Sequence, residues 1–287
     1  MIVTQETTRQ LDRKVVEWRI RSFSEVDSTQ RVAKDLAADG APEGTVVIAG
    51  TQSEGRGRAG RRWVSPLGGL WLSVVLRPKL TPAEAQKMTL AVGVAAARAI
   101  MHTTGLNVEL KWPNDVLIDG RKVCGILTES SIRSGLLEFL VVGVGINANV
   151  DLPKLPPDLQ ASTTSLSREL KREIPIEELT KAVLEELQKV YASLSSGSFA
   201  SVLSDWKGLT STIGSWVEVK TPDRAVEGLA EDVDLDGSLM LRLRNGSRAR
   251  IVAGDASLRR KDRPQGFRGE HQESPLKRMS DKDAERG

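Results

Sequence analysis

The chain has few of the residues that carry covalent and metal catalysis. Among its 287 residues there are one cysteine, Cys124, and two histidines. A lone cysteine excludes an intramolecular disulfide and fits a reducing compartment. A zinc site built from His and Cys is excluded in practice, which leaves a carboxylate-held Mg²⁺ as the metal to consider. Aromatic residues make up 4% of the chain, with one tyrosine and four phenylalanines. Single-strand nucleic-acid binders need stacking platforms and a basic groove, so that class is disfavoured. No apolar run approaches the ~20 residues that span a bilayer. The opening "MIVTQETTRQLDRK" lacks the basic-then-apolar order of a signal peptide. The expectation is a cytoplasmic protein with no membrane and no DNA partner.

The body also lacks net charge. The formal charge of +3 resides in residues 259–287, which carry nine basic and six acidic side chains, leaving 32 of each sign before them. The basic isoelectric point is therefore no sign of a nucleic-acid surface. Residues 259–287 are charged and almost free of large apolar side chains, and are expected to be a disordered tail.

What is present is a mixed grammar of strands and helices. "VVEWRIRSF", "TVVIAG" and "LWLSVVLRP" read as strands, and "DSTQRVAKDLAADG" as a helix capped at Asp27 or Ser28 and stopped at Gly40. A long helix opens on a capping box, Thr81 with Glu84 three residues on and Pro82 between them. "VELKWP" reads as a strand, and residues 115–130 as a hairpin through Asp119-Gly120. "LLEFLVVGVGINANV" reads as a long central strand, followed by a Pro-rich loop and two helices. From about residue 213 four short strands joined by Asp236-Gly237 and Asn245-Gly246 predict a small β-barrel. The expected division is a catalytic domain over 1–210, a barrel over 211–258 and the tail.

"GRGRAG", residues 55–60, spells the dinucleotide fingerprint after an apolar strand. That fingerprint needs a helix opening at its third glycine to bind pyrophosphate. Here Pro66 and Gly68-Gly69 follow, and then a strand. The acidic residue expected about 20 positions on is missing too. The dinucleotide reading fails. What remains is four arginines among three glycines in "EGRGRAGRRW", either a solvated basic loop or a flap that folds over an anion.

Three other segments each allow a plain and a functional reading. "KWPND", 111–115, is an ordinary turn or a rigid display of Lys111, Asn114 and Asp115. Lys122, opening an apolar strand, either snorkels to solvent or neutralises a bound carboxylate. Gly143 and Gly145, alternating in a long strand, mark a bulge or the close approach of a ligand. Cys124 reads as a small core residue of its strand.

Together, "DSTQ" at 27–30, "QSEGRGRAGRRW" at 52–63, "KWPND", "GRKVCGILTE" at 120–129 and "GVGINAN" at 143–149 resemble the biotin–protein ligase family. "ASTTSL", "DWK" and "GDASLR" are weaker echoes, and the resemblance spans roughly residues 15–260. It implies an α+β fold, a mixed mainly antiparallel sheet flanked by helices as in class II synthetases, with a C-terminal SH3-like barrel. It implies the short class, without an N-terminal DNA-binding domain.

The activity implied has two steps. The biotin carboxylate attacks the α-phosphate of MgATP to give biotinyl-5′-AMP and pyrophosphate, and a lysine of a biotin carboxyl carrier domain then takes the biotin. By the same resemblance, Ser28, Thr29, Gln30 and Gln52 face the ureido ring. Gly55, Arg56, Gly57 and Arg58 belong to the loop that closes over biotin and phosphates, and Gly143 and Gly145 give biotin room. Lys122 sits against the carboxylate and the α-phosphate. Arg58, Arg61, Trp63, Lys111, Asn114, Asp115 and Asn147 line the ATP side, with Asp115 the candidate Mg²⁺ ligand. Lys122, Arg58 and Asp115 are the expected catalytic set.

The residue types agree with that chemistry. Two anions must meet, so fixed cations are needed, and no enzyme nucleophile is. A homodimer through an exposed sheet edge is allowed. The alternatives are a lipoate–protein ligase and a nucleic-acid-binding module.

Overall fold

A computed structural model describes residues 16–258. The expectation of a disordered tail over 259–287 lies outside the described residues.

Seven strands form the main sheet: β1 (Arg19–Val26), β2 (Thr45–Gln52), β3 (Leu70–Leu76), β4 (Glu109–Lys111), β5 (Asp115–Ile118), β6 (Arg121–Arg133) and β7 (Leu136–Ile146). Their spatial order is β1-β2-β3-β7-β6-β5-β4. β1 runs parallel to β2, and the other pairings are antiparallel. β7 is central, as its long apolar run predicts. The β5–β6 hairpin turns through Asp119 and Gly120, at φ 49° and 75°, a left-handed pair that Asp-Gly accommodates.

The two faces of the sheet are covered unequally. Leu140, Val142, Val144 and Ile146 of β7 belong to the large core, which packs against α2 (Ala85–Thr104), α5 (Ile176–Ser195) and α6 (Phe199–Leu209). On the other face α1 (Thr29–Ala38) covers one end only, setting Ala33 and Ala37 on Val47, Val75, Phe139 and Val141. Under the first turn of α1 that face carries Ser73 and Gly143, and beyond it Gly145 and Gly125, paired across strands as Ser73 with Gly143 and Gly125 with Gly145. Small residues on an uncovered stretch of a central sheet make a trough.

Some elements differ from expectation. The Thr81 box is formed, with Glu84 accepting from the Thr81 N–H at 3.0 Å, but its first turn is a tight 3₁₀ turn over Pro82–Glu84 and α2 starts at Ala85. The Lys87 ammonium, followed by the Thr81 bonds, holds the Glu84 carboxyl at about 2. The Pro-rich stretch is not all loop: it holds a 3₁₀ turn at Leu152–Lys154 and opens α3 (Pro157–Gln160), and α4 (Leu166–Leu170) follows it. The barrel has five strands, not four: β8 (Trp216–Lys220), β9 (Ala225–Val233), β10 (Leu239–Arg242), β11 (Arg248–Ile251) and β12 (Asp255–Leu258). Their order is β11-β10-β9-β8-β12. The chain bends at Val252 and Ala253, so "RARIVAGD" is not one strand, and β12 leaves β11 to pair with β8.

Arg77 ties α1 to the sheet. Its guanidinium donates to the carbonyls of Ala37 and Ala41 at 3.0 Å each and of Glu138 at 3.3 Å. It also lies 5.5 Å from the Phe139 ring centroid. Arg77→Leu is expected to lower unfolding free energy by about 2–4 kcal/mol, through charged hydrogen bonds lost and carbonyls left unpaired. Urea denaturation monitored by far-UV circular dichroism checks this.

Candidate active site

The trough opens into a cleft of about 570 Å³ whose walls come from both sheets. Its lip is the "GRGRAG" segment, folded as an irregular hairpin. Gln52 pairs with Ser65 and Arg56 with Arg62 across it, and the Gly57 N–H donates to the Arg61 carbonyl at 2.7 Å. A Cβ on Gly55 would lie 2.2 Å from the Trp63 carbonyl oxygen, so only glycine lets the two arms meet there. The segment makes a single 3₁₀ turn, Arg58–Gly60, and the next strand is β3. No helix opens at its third glycine, which rules out the dinucleotide geometry.

The hairpin folds the Trp63 indole down onto the glycine floor. A Cβ on Gly145 would lie 2.7 Å from Trp63 Nε1, and one on Gly125 would lie 2.9 Å from the ring. Trp71 meets Trp63 edge-on at 6.3 Å between centroids, and Lys122 Nζ stands 4.9 Å from the Trp63 centroid. Trp63 Nε1 is buried without a hydrogen-bond partner. Gly143 makes room for Gln30, whose Oε1 would lie 2.7 Å from a Cβ there. The space over both strand glycines is thus taken by the Trp63 and Gln30 side chains.

The charged wall is built by the β4–β5 turn and the start of β6. Asp115 sits between two ammonium groups, Lys122 at 2.5 Å and Lys111 at 3.0 Å. Burial pushes its carboxyl up, but Lys122 and then Lys111 outweigh that and hold it below the ordinary value near 3.8. Asn114 is fixed by its own amide donating to the Ile126 carbonyl at 2.8 Å, and its Oδ1 accepts from Arg58 at 3.3 Å. Asn147 is 4% exposed and donates to the Thr164 carbonyl at 3.1 Å. That bond holds the 162–164 segment, which bridges to the Lys122 backbone.

The polar end lies under α1. Gln52 Oε1 accepts from the Thr29 N–H at 2.8 Å and from its hydroxyl at 3.0 Å, while Gln52 Nε2 donates to Ser65 Oγ at 2.7 Å. Gln30 donates to the Val141 carbonyl at 2.9 Å and accepts from Ser73 Oγ at 3.1 Å. Ser28 Oγ is buried and has no partner, so this end of the cleft offers a hydroxyl to a polar ligand group. Arg56 points to Glu129 at 3.4 Å, whereas Arg58 and Arg61 point to the barrel. Arg58 donates to the Gly254 carbonyl at 3.1 Å, and Arg61 meets Asp255 at 2.5 Å.

Two family models match the chain. The Biotin/lipoate A/B protein ligase family covers residues 22–147, and the Biotin protein ligase C terminal domain covers residues 212–259. The bifunctional ligase/repressor BirA of Bacillus spizizenii is 33% identical over 234 residues, 81% of this chain and 72% of that protein. The chain belongs to the biotin protein ligase family. The biotin–acetyl-CoA-carboxylase ligase of Mycobacterium tuberculosis is 32% identical over 249 residues, 83% of this chain and 88% of that one. The solved biotin protein ligase of Aquifex aeolicus in complex with biotin and ATP superimposes with a TM-score of 0.72 at 28% identity, covering 84% of this chain and 98% of that one.

Within this member of the biotin protein ligase family, the residues singled out by sequence line one cleft except Gly55, which lies behind the lip, and Gln30 and Asn147 already carry structural hydrogen bonds. Sequence reasoning missed Gly125, Ser73, Glu129 and Asp255. Gly125 had a signal, a glycine in an apolar strand facing "GVGIN" across a hairpin. Asp255 had only the "GDASLR" echo. Cys124 is fully buried in the core, and burial pushes its thiol pKa up, away from the thiolate. Asp115 does not fit a resident Mg²⁺: each of its oxygens faces an ammonium. No group of three or more His, Cys, Asp or Glu able to hold a metal occurs among the described residues.

Gly145→Ala is expected to displace Trp63 and raise the KM for ATP and biotin with little change in melting temperature, which steady-state kinetics and thermal denaturation check. Asp115→Asn leaves Lys111 and Lys122 facing each other and is expected to lower stability by about 3 kcal/mol at pH 7. A lowered carboxyl pKa stabilises above its unfolded value and the effect is lost as pH falls through the folded one. The difference between variant and parent therefore shrinks below pH 3.8, the ordinary value of this group. Urea titrations at neutral and acidic pH read it.

Proposed function

We propose that the chain is an ATP-dependent biotin–protein ligase working at this cleft. Biotin is activated to biotinyl-5′-AMP with release of pyrophosphate, and the biotinyl group passes to a lysine of a biotin carboxyl carrier domain. The observation that carries this reading is the Lys122–Asp115–Lys111 cluster, set beside Trp63 and opposite Arg58. It is a fixed array of cations in a cleft with no nucleophilic Cys or His.

The chemistry follows from the electrostatics. A carboxylate and a polyphosphate repel each other, and both would be drawn toward the ammoniums that Asp115 holds. Lys122 Nζ stands where the carboxylate and the α-phosphate meet, and Arg58 closes from the lip. As the new O–P bond forms and pyrophosphate leaves, charge on the phosphorus oxygens grows, and preorganised donors stabilise it without rearrangement. Trp63 offers its face to a flat group. Mg²⁺ enters with ATP as part of the substrate. In this reading residues 1–210 carry the chemistry, and residues 211–258 close one wall.

The family model for the first domain spans biotin and lipoate enzymes alike. The second model, the Biotin protein ligase C terminal domain, favours biotin over lipoate. The test is pyrophosphate release with ATP and biotin, then label transfer to a purified carrier domain. Release with lipoate alone would overturn the reading. Lys122→Ala is expected to slow adenylate formation at least ~100-fold, in line with removal of one transition-state donor. Near-parental single-turnover rates would remove Lys122 from the reaction centre.

A further inference from the structure

Trp112 sits between Lys111 and the cleft-facing Asn114 and Asp115, yet its donors point the other way. The side chain is fully buried, with 0% exposure. Its backbone N–H donates to Thr212 Oγ1 at 2.9 Å, and its indole Nε1–H donates to the Gly237 carbonyl at 3.0 Å. Thr212 lies in the segment that enters the barrel, and Gly237 lies in the β9–β10 turn. The same Gly237 carbonyl accepts from Gln86 of α2 at 3.1 Å. A Cβ at Gly237 would lie 3.1 Å from Gln86 Cγ and 3.3 Å from Leu90 Cδ1, so the turn is seated closely. Next to it, the Leu110 carbonyl accepts from the Ser211 N–H at 3.0 Å.

The barrel touches the cleft a second time on its far strand. β12 pairs with β8, and β8 with β9, so the Gly237 turn and β12 belong to one hydrogen-bonded sheet. β12 receives the lip: Gly254 and Asp255 hold Arg58 and Arg61. The "KWPND" wall and the arginine lip are thus both fastened to the same small sheet. Their one direct hydrogen bond among the described residues is Arg58 to Asn114, at 3.3 Å.

We infer that Trp112 is a positioning residue for the arginine lip. Its hydrogen bond to Gly237 sets where the barrel sits, and the barrel sets where β12 receives Arg58 and Arg61 as the lip closes over the adenylate. Loss of that bond leaves Lys122 and Asp115 in place but lets the lip close poorly, so chemistry persists while retention of the intermediate falls. The inference rests on the proposed function.

The test is a retention measurement in a double-mutant cycle. Protein is charged once with biotin and ATP and desalted, and the protein-bound adenylate is followed over time. Trp112→Phe removes the indole donor and keeps an aromatic ring. It is expected to lose adenylate roughly three- to tenfold faster than the parent, the range that one buried neutral hydrogen bond supplies. The single-turnover rate of pyrophosphate release should change less than retention does.

Asp255→Ala frees the lip directly, and the double variant should lose adenylate no faster than Asp255→Ala alone. Unchanged retention in Trp112→Phe, or losses that multiply in the double variant, overturns the inference. If Trp112→Phe fails to fold, Gln86→Leu removes the other donor to Gly237 and must show the same non-additivity with Asp255→Ala. A parent that forms no adenylate overturns the functional reading and this inference together.

Discussion

The site depends on one carboxylate. Asp115 sits where burial alone would favour its neutral form, and it is kept ionised by Lys122 and Lys111. The arrangement works in both directions, since without Asp115 two half-buried ammoniums would repel each other and turn to solvent. With it they stand as a preorganised cation pair, whose counter-charge an incoming carboxylate and polyphosphate can share. The turn that presents them is held from behind by Asn114 on the Ile126 carbonyl and by Trp112 on the barrel.

The second constraint is the floor. α1 covers only one end of its face of the sheet, and the remainder carries glycine and serine where large residues would otherwise pack. That choice admits the Trp63 and Gln30 side chains. The depth of the trough comes from missing side chains more than from curvature.

Much of this was legible in the residues. The β5–β6 hairpin followed from Asp119-Gly120, the central strand from "LLEFLVVGVGI", and the failure of the dinucleotide motif from Pro66 and the Gly68-Gly69 pair. These are local signals, and local chemistry decides them. What was not legible is long-range. Nothing near Asp255 states that it will meet Arg61, 194 residues away in sequence. Nothing near Trp112 states that its indole faces the barrel. Gly143 and Gly145 were expected to make room for a ligand, and that Gln30 and Trp63 lie over them could not be read from the strand alone. The fifth barrel strand was hidden because the break at Val252 and Ala253 is a bend without a turn signature.

At the centre of the chemistry, the substrates' anions are expected to take the place that Asp115 now holds on Lys122. The most direct measurement is a crystal structure of this chain with biotin and ATP, or with their adenylate. The account predicts Lys122 Nζ within hydrogen-bonding distance of both the acyl oxygen and an α-phosphate oxygen, with Trp63 lifted from the Gly125–Gly145 floor and packed on the ligand. Lys122 still bound to Asp115 alone, with the reacting atoms elsewhere in the cleft, would contradict it.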